Sequence, residues 1–194
     1  MAAGYNLTDQ FKFAIDAAAS EFYQDGKYNL QKSGQVLDSL GLSNFYEELM
    51  TKYPIVSLED VFAEDDWASF VKFSTDHADK QIVGDDLYVT NSKRLAMGIE
   101  QKATNAILIK LNQIGTVTET IAAINLAHKS GMRSIVSHRS GETSDTFMVD
   151  LVVAMGTGQI KAGAPARGER VAKYNRLLEI AEKLGQSGEY ARFM

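Results

Sequence analysis

Short apolar runs recur along the chain, and longer stretches of mixed polar and apolar residues separate them. Six such runs are found, at residues 11–16, 54–59, 81–85, 106–110, 134–138 and 158–161. Most are rich in Ile and Val and only a few residues long. A short apolar run without alternating polar residues is typical of a strand that is buried on both faces, as in a parallel sheet. The pattern therefore predicts six strands, most of them buried on both faces.

The segments between these runs show the spacing of amphipathic helices, with apolar residues recurring every three or four positions. Three such sets are Phe45, Leu49 and Tyr53, then Trp67, Phe70 and Phe73, then Val117, Ile121 and Ile124. Gly131 follows the third set, where a glycine often ends a helix. A last helix is predicted over residues 169–184. Its predicted packing face consists of Val171, Tyr174, Leu177, Leu178 and Ala181.

Strands that alternate with helices predict either an open doubly wound sheet or a (β/α) barrel. Each of the six runs ends in a charged or ionisable residue: Asp16, Glu59, Asp85, Lys110, His138 and Lys161. A barrel gathers the carboxyl ends of its strands on one face, whereas an open sheet spreads them along a line. The pattern, which shows no antiparallel interruption, therefore favours a barrel. No Pro/Gly/Ser-rich linker divides the chain, so we expect one domain at 1–184 and a flexible tail at 185–194.

Composition narrows the classes of partner. The chain has 194 residues, 20 Lys and Arg, 25 Asp and Glu, and a net charge of −5, so it lacks the basic excess of a general nucleic-acid binder. With no cysteine, disulfides and thiolate metal sites are excluded. The first residues lack the pattern of a signal peptide, and no apolar run is long enough to span a bilayer. We therefore expect a cytoplasmic protein with no membrane partner.

Three of the strand-end residues, Asp16, Glu59 and Asp85, are carboxylates. Alone, a strand-end carboxylate is more often a helix cap or a solvated loop residue. Three at equivalent positions favour a metal site instead, because hard oxygen ligands with room for water and substrate suit Mg²⁺.

The other three positions supply candidate bases and an anion site. A lysine at the end of a buried strand loses solvation, and a nearby cation lowers its pKa further, so Lys110 or Lys161 can serve as a base. Arg139 and Ser140 lie in a glycine-containing turn that suits a phosphate or carboxylate. His138 could carry a proton, donate to a substrate or be a core histidine. Together these residues indicate metal-assisted proton abstraction next to a carboxylate.

Long motifs carry a resemblance to a known family. They are SLEDVFAEDDW at 57–67, VGDDLYVTN at 83–91, LIKLNQIGT at 108–116, SHRSGETSDT at 137–146 and GQIKAGAPARGERVAKYN at 158–175. These motifs, together with FAIDAAASEFYQDGKY at 13–28, resemble the enolase family in the family's order. The resemblance covers residues 11–184. It implies a partial TIM-type barrel that consists of the last six β-α units of the catalytic domain.

The resemblance implies the enolase reaction, the reversible Mg²⁺-dependent dehydration of 2-phosphoglycerate to phosphoenolpyruvate in glycolysis and gluconeogenesis. By it, Asp16, Glu59 and Asp85 match the ligands of Mg²⁺, of which the family binds two ions. Lys110 matches the general base, and Lys161 contacts the substrate carboxylate region. His138, Arg139 and Ser140 match the substrate-binding turn, with Arg139 and Ser140 on the phosphate. The family is usually dimeric.

The resemblance also implies that the family's N-terminal domain, its general acid Glu and a lid loop lie outside this chain. The chain would then need the missing part for activity. One alternative is an inactive enolase fragment that acts as a binding module. A second alternative is a Schiff-base aldolase that uses Lys110, but that reaction would give the three strand-end carboxylates no role. A related dehydratase or racemase is a further alternative, although the turn at 137–143 favours enolase proper.

Overall fold

A computed structural model of the chain describes residues 4–6 and 10–193. Its strands are β1 (Phe13–Asp16), β2 (Tyr23–Gln24), β3 (Lys27–Leu30), β4 (Gln35–Leu37), β5 (Ile55–Glu59), β6 (Gln81–Gly84), β7 (Ala106–Ile109), β8 (Arg133–Ser137) and β9 (Gln159–Lys161). Its helices are α1 (Ser39–Lys52), α2 (Trp67–Asp76), α3 (Ser92–Gln101), α4 (Leu111–Ile114), α5 (Val117–Lys129), α6 (Phe147–Ala154) and α7 (Gly168–Leu184).

Six strands form a parallel sheet in the order β1-β5-β6-β7-β8-β9. These are the six strands predicted from the apolar runs, and their ends differ from the prediction by at most two residues. Each strand of this sheet follows its neighbour along the chain, and at least one helix lies between any two of them. That order is the one expected for an incomplete (β/α) barrel, in which successive parallel strands are joined through helices. The α/β prediction is therefore confirmed.

A second sheet, β2-β3-β4, is antiparallel, so the expectation of no antiparallel interruption was wrong. Its strands are short and mostly polar, which left no apolar run to indicate them. Tyr28 on β3 is its buried anchor. Its hydroxyl donates to Asp66 at 3.1 Å and accepts the backbone N–H of Ala63 at 3.0 Å.

The chain divides into two compact units. The first takes in Met1–Tyr88 and Ala96–Ala106, and the second takes in Val89–Leu95 and Ile107–Met194. In the first unit, Phe62 makes edge contacts with the rings of Phe70 and Phe73, with 5.7 Å between ring centroids in each case. In the second unit, the core consists of Ile107, Leu108, Ile109, Val136, Ala123, Ile124 and Val149. None of the helices in the described residues is both long and apolar enough to cross a membrane.

The four predicted helices are confirmed as α1, α2, α5 and α7, but three of their predicted packing faces were wrong at least in part. In α5 the buried residues are Thr120, Ala123, Ile124 and Ala127, and Val117 of the predicted set is 44% exposed. In α1 the buried residues are Leu42 and Tyr46, and the Tyr46 hydroxyl donates to the buried carbonyl of Val61 at 3.1 Å. In α7 the buried residues are Arg170 and Lys173, whereas Leu178 of the predicted face is 70% exposed. The two buried residues of α7 are therefore cations, whereas Val171, Tyr174 and Leu177 are half-buried.

Candidate active site

The first unit places its three predicted metal ligands at the carboxyl ends of three neighbouring strands. Asp16 ends β1 and lies opposite Glu59, which ends β5. Glu59 in turn lies opposite Val83 of β6, and Asp85 directly follows that strand. Carboxyl ends of adjacent parallel strands share one edge of a sheet, so this order places the three carboxylates at the same edge.

The environments of these carboxylates differ. Glu59 and Asp85 are only 6% and 5% exposed, whereas Asp16 is exposed and its Oδ1 accepts the backbone N–H of Ala18 at 3.2 Å. A buried carboxylate is costly unless its charge is compensated. Hard oxygen donors of this kind suit Mg²⁺, which keeps several water ligands and needs few protein carboxylates. The residues present therefore fit a magnesium site.

Asp60 is a site residue that the sequence reasoning missed. Its Oδ1 accepts the backbone N–H of Asp85 at 2.9 Å, and its Oδ2 accepts that of Asp86 at 2.8 Å. Burial raises the pKa of Asp60 to about 8, although the two amide hydrogen bonds lower it. Its backbone has a φ of +45°, a left-handed conformation that costs free energy in a non-glycine residue. The side chain thus holds the start of the loop that carries Asp85.

Among the described residues, a carboxylate group with the spacing of a metal site consists of Asp60, Asp85 and Asp86, with one oxygen of each within 4.8 Å of the others. This group shares only Asp85 with the predicted set. Both oxygens of Asp60 already accept backbone amides, so we interpret Asp60 as a brace for this loop rather than as a ligand. The sequence offered one signal, an acidic residue directly after Glu59.

In the second unit, Lys110 directly follows β7 and caps the start of α4. Its backbone N–H donates to the hydroxyl of Thr90 at 2.9 Å, and that hydroxyl donates to the side chain of Gln113 at 2.9 Å. Thr90 is fully buried and has a φ of +57°. Thr90 and Gln113 therefore fix the backbone of Lys110. Both residues are neutral, so no charge in the sequence marked them as part of the site.

His138 and Lys161 come together at the ends of β8 and β9. Ser137 lies opposite Lys161, and the backbone N–H of His138 donates to the carbonyl of Lys161 at 2.8 Å. In the strand order Lys110 follows β7, His138 follows β8 and Lys161 ends β9. The second unit thus brings the predicted base, histidine and second lysine to one edge of its strands.

The turn after β8, residues 138–143, is organised from within by Glu142. This carboxylate accepts the backbone N–H groups of Arg139 at 3.1 Å and Thr143 at 3.0 Å, and it forms an ion pair with Lys173 at 3.3 Å. Glu142 is only 17% exposed, so it is not a solvated loop residue. Because these two amides are engaged, the guanidinium of Arg139 and the hydroxyl of Ser140 are better candidates for an anion than the amides.

A cavity of about 270 Å³ opens beside this turn in the second unit. Arg139 and Glu142 line one part of it, and Phe147 and Met148 at the start of α6 line another. The cavity therefore combines the Arg139 cation, the carboxylates of Glu142 and Asp145, and an apolar wall.

Comparison with known proteins settles the family. Residues 1–193 match the family model described as the enolase C-terminal TIM barrel domain. The chain belongs to the enolase family. Enolase 1 of Methanospirillum hungatei JF-1 is 53% identical over 190 residues, which are 97% of this chain and 45% of that relative. This enolase chain therefore spans less than half the length of the relative it matches.

The match confirms the resemblance read from the motifs and identifies the parallel sheet as part of the enolase barrel. Within the first unit the predicted carboxylates lie at or next to strand ends, and within the second unit residues 138–140 follow β8. Beyond them, the structure adds residues that hold these groups and that sequence reasoning missed: Asp60, Thr90, Gln113, Arg170 and Lys173.

Proposed function

We propose that this chain carries the metal-binding and proton-abstracting residues of an enolase, for the reversible dehydration of 2-phosphoglycerate to phosphoenolpyruvate. The observation that supports this most is a match to the enolase barrel over residues 1–193, in which every predicted site residue lies at or just after the carboxyl end of a parallel strand. In barrel enzymes the chemistry occurs at that end.

Asp16, Glu59 and Asp85 would hold Mg²⁺, and by family resemblance two ions are expected. When bound, the metal would stabilise negative charge on the substrate carboxylate as the α-proton leaves. Asp60 would keep Asp85 in place through the two backbone amides that it accepts. Such supporting contacts orient metal ligands in many proteins.

Lys110 is the proposed general base, which must be neutral to accept the α-proton. The hydrogen bond to Thr90 fixes the backbone of Lys110, which limits the positions that its side-chain amine can reach. A general base contributes on the order of 10²–10⁴ to the rate, and only when it lies within hydrogen-bond reach of the proton. The contact with Thr90 therefore supports the assignment of Lys110.

Lys161 is proposed to contact the substrate carboxylate region, and Arg139 and Ser140 the phosphate. A guanidinium suits phosphate because its paired N–H groups match two phosphate oxygens. His138 is proposed to contact the substrate as part of the same turn. Protonation of the departing hydroxide and closure over the substrate are proposed to need the rest of the enolase, since the chain covers 45% of its relative. A cytoplasmic homodimer is the assembly we expect.

Turnover measures the proposal directly. Phosphoenolpyruvate absorbance would be followed with Mg²⁺ for this chain alone and for the chain mixed with a separately produced N-terminal half of an enolase. We expect turnover in the mixture. Lys110→Ala should lower the turnover rate by a factor of at least about 10². Lys129→Ala, at an exposed lysine at the end of α5, should leave the rate unchanged.

Turnover that survived Lys110→Ala would refute the assignment of the base. Turnover by the chain alone would show that the missing general acid is not needed. Silence in both samples, from folded protein that binds no Mg²⁺, would overturn the enolase proposal and favour a non-catalytic binding module.

A further inference from the structure

The buried cations of α7 are directed at the turn after β8. Arg170 and Lys173 lie one helical turn apart on the same face, and Lys173 is fully buried. The Nζ of Lys173 donates to the carbonyl of Thr143. Burying a cation is costly unless hydrogen bonds satisfy it, so a helix face of this kind requires specific acceptors opposite it. The turn supplies them.

Arg170 makes three of these contacts at once. One terminal nitrogen bonds to Nδ1 of His138, and the other donates to the carbonyl of Arg139 at 3.1 Å and to that of Ser140 at 3.4 Å. A guanidinium has N–H donors and no acceptor. Nδ1 of His138 must therefore accept this hydrogen bond, and the proton of a neutral ring must reside on Nε2.

The rest of the surroundings leave the imidazole little freedom. Its backbone N–H is bonded to Lys161. Gly163, with a φ of +78°, passes so close that a Cβ at that position would lie 3.1 Å from Cε1 of His138 and 3.2 Å from Cδ of Arg170. A ring packed on one side by backbone and bonded on another by a guanidinium cannot flip without breaking both contacts.

The charges that face His138 come from three elements: Arg170 on α7, Lys161 at the end of β9, and Glu142 in the turn after β8. Burial lowers the pKa of His138, and the two cations lower it further. A hydrogen bond with the backbone of Ala162 and the charge of Glu142 oppose this effect. The lowering effects prevail, so the ring is neutral at neutral pH.

We propose that Arg170 is a positioning residue that fixes the His138 proton on Nε2, so that His138 acts as a neutral hydrogen-bond donor and not as a proton carrier. The part about donation to a substrate rests on the proposed function. The position of the proton does not, because it follows from contacts within the second unit.

The full 194-residue chain, labelled with ¹⁵N-histidine, tests this by long-range ¹H–¹⁵N correlation over a pH titration. Loss of one set of signals in His138→Gln assigns the residue. In the unaltered chain above its titration midpoint, we expect an unprotonated Nδ1 that accepts a hydrogen bond and a protonated Nε2. In Arg170→Met, which has no donor, we expect the Nδ1 signal to shift and the midpoint to rise.

Two further variants make the result specific. Arg170→Lys keeps a cationic donor and should restore the hydrogen-bonded Nδ1 signal. Arg176→Met removes another arginine of α7, one that pairs with Asp150 and Glu179, and should leave His138 unchanged.

A protonated Nδ1 in the unaltered chain would overturn the proposal, as would identical His138 signals and midpoint in folded Arg170→Met. If Arg170→Met does not fold, Arg170→Lys and the unaltered chain decide the matter alone, since both must show the unprotonated Nδ1. None of these signals needs substrate, so a failure of enolase turnover would leave the result standing. Conversely, turnover with a protonated Nδ1 would reject this inference alone.

Discussion

The hydroxyl of Thr90 accepts the backbone N–H of Lys110, with 2.9 Å between oxygen and nitrogen. Nineteen residues separate the two in the sequence, and their contact is a hydrogen bond between neutral groups. The hydroxyl in turn donates a hydrogen bond to Oε1 of Gln113 at 2.9 Å. This buried hydroxyl both accepts and donates, so its loss removes two hydrogen bonds at the end of β7.

Thr90→Val should therefore lower the free energy of unfolding by about 1–3 kcal/mol, because it removes the two hydrogen bonds of a fully buried hydroxyl. Valine keeps the branched shape and so keeps the strain of the left-handed backbone unchanged. Urea unfolding measures the effect, and Thr118→Val, at an exposed position of α5, is the matched control. Equal losses in the two variants would show that the Thr90 hydroxyl does not stabilise the strand end.

Asp60→Asn should weaken Mg²⁺ binding by about 10–100-fold, the usual effect of losing a group that orients a metal ligand. An asparagine can accept only one of the two amides that Asp60 accepts, because its nitrogen is a donor. Isothermal titration with Mg²⁺ measures the affinity. Asp76→Asn, which breaks an exposed pair with Lys72 on α2, should leave it unchanged. Undiminished affinity in Asp60→Asn would contradict the bracing role.

The contribution of Glu142 to stability should depend on pH in a defined direction. Burial raises its pKa, but the N–H groups of Thr143 and Arg139 and the charge of Lys173 outweigh burial, so the folded-state pKa is lower than its ordinary 4.5. A carboxyl group with a lowered pKa stabilises the fold fully above pH 4.5 and loses that effect as the pH falls through the folded-state value.

The measurement compares unfolding of the unaltered chain with that of Glu142→Gln from pH 7 downward. We expect the difference between them to be largest at neutral pH and to shrink below about pH 4.5. Glu182→Gln, at an exposed position of α7, serves as the control. A difference that stayed constant down to acid denaturation would show that the charge of Glu142 is not what stabilises the turn.

Gly163→Ala and Gly131→Ala form a matched pair. Both glycines have a φ near +75°, at +78° and +74°, so both alanines incur similar backbone strain, about 1 kcal/mol. Only at Gly163 does the new methyl group meet His138 and Arg170. We expect the ¹⁵N signals of His138 to shift in Gly163→Ala alone. If the His138 signals of both variants matched those of the unaltered chain, the backbone at Gly163 would not confine the ring.

Gly98→Ala tests packing in the first unit. A Cβ at Gly98 on α3 would lie 2.2 Å from the hydroxyl oxygen of Tyr88, a fully buried residue bonded to Thr104 at 2.7 Å. We expect a loss of about 1–3 kcal/mol in the free energy of unfolding from overpacking, despite the better helix propensity of alanine. Gly168→Ala on α7 meets nothing within 4 Å and should be neutral or stabilising. A neutral Gly98→Ala would show that Tyr88 can move aside.

How far the sequence predicted the fold depends on how each element is buried. Four of the six parallel strands, β5 to β8, were predictable because burial on both faces leaves an uninterrupted apolar run. The outer strands β1 and β9 also follow from apolar runs, although β1 is mostly exposed and β9 is half-buried. The small antiparallel sheet was not, since only Tyr28 among its residues is fully buried. Helix α6, FMVDLVVA, is mostly apolar over eight residues and carries no clear helical period. Where an element was neither buried on both faces nor clearly amphipathic, the hydrophobic pattern gave no prediction.

The candidate site divides in the same way. Charged residues at strand ends could be predicted, because their position at a shared edge follows from the parallel order. Asp60 could not be distinguished from an ordinary neighbour of Glu59, since its role lies in amides 25 and 26 residues further along the chain. Arg170 and Lys173 were hidden for a different reason. Sequence reasoning assigns the most buried positions of a helix to apolar residues, and here these two positions are cationic.

These two buried cations limit which sequences α7 can tolerate. An apolar face can be repacked with Leu, Ile or Met at little cost, because contacts between methyl groups have no preferred direction. The bonds of Arg170 and Lys173 are directional and end on named carbonyl oxygens and one ring nitrogen. Substitutions that suit an ordinary core would fill the same volume but release the turn. We therefore expect α7 to tolerate substitutions along its exposed side but not at Arg170 and Lys173.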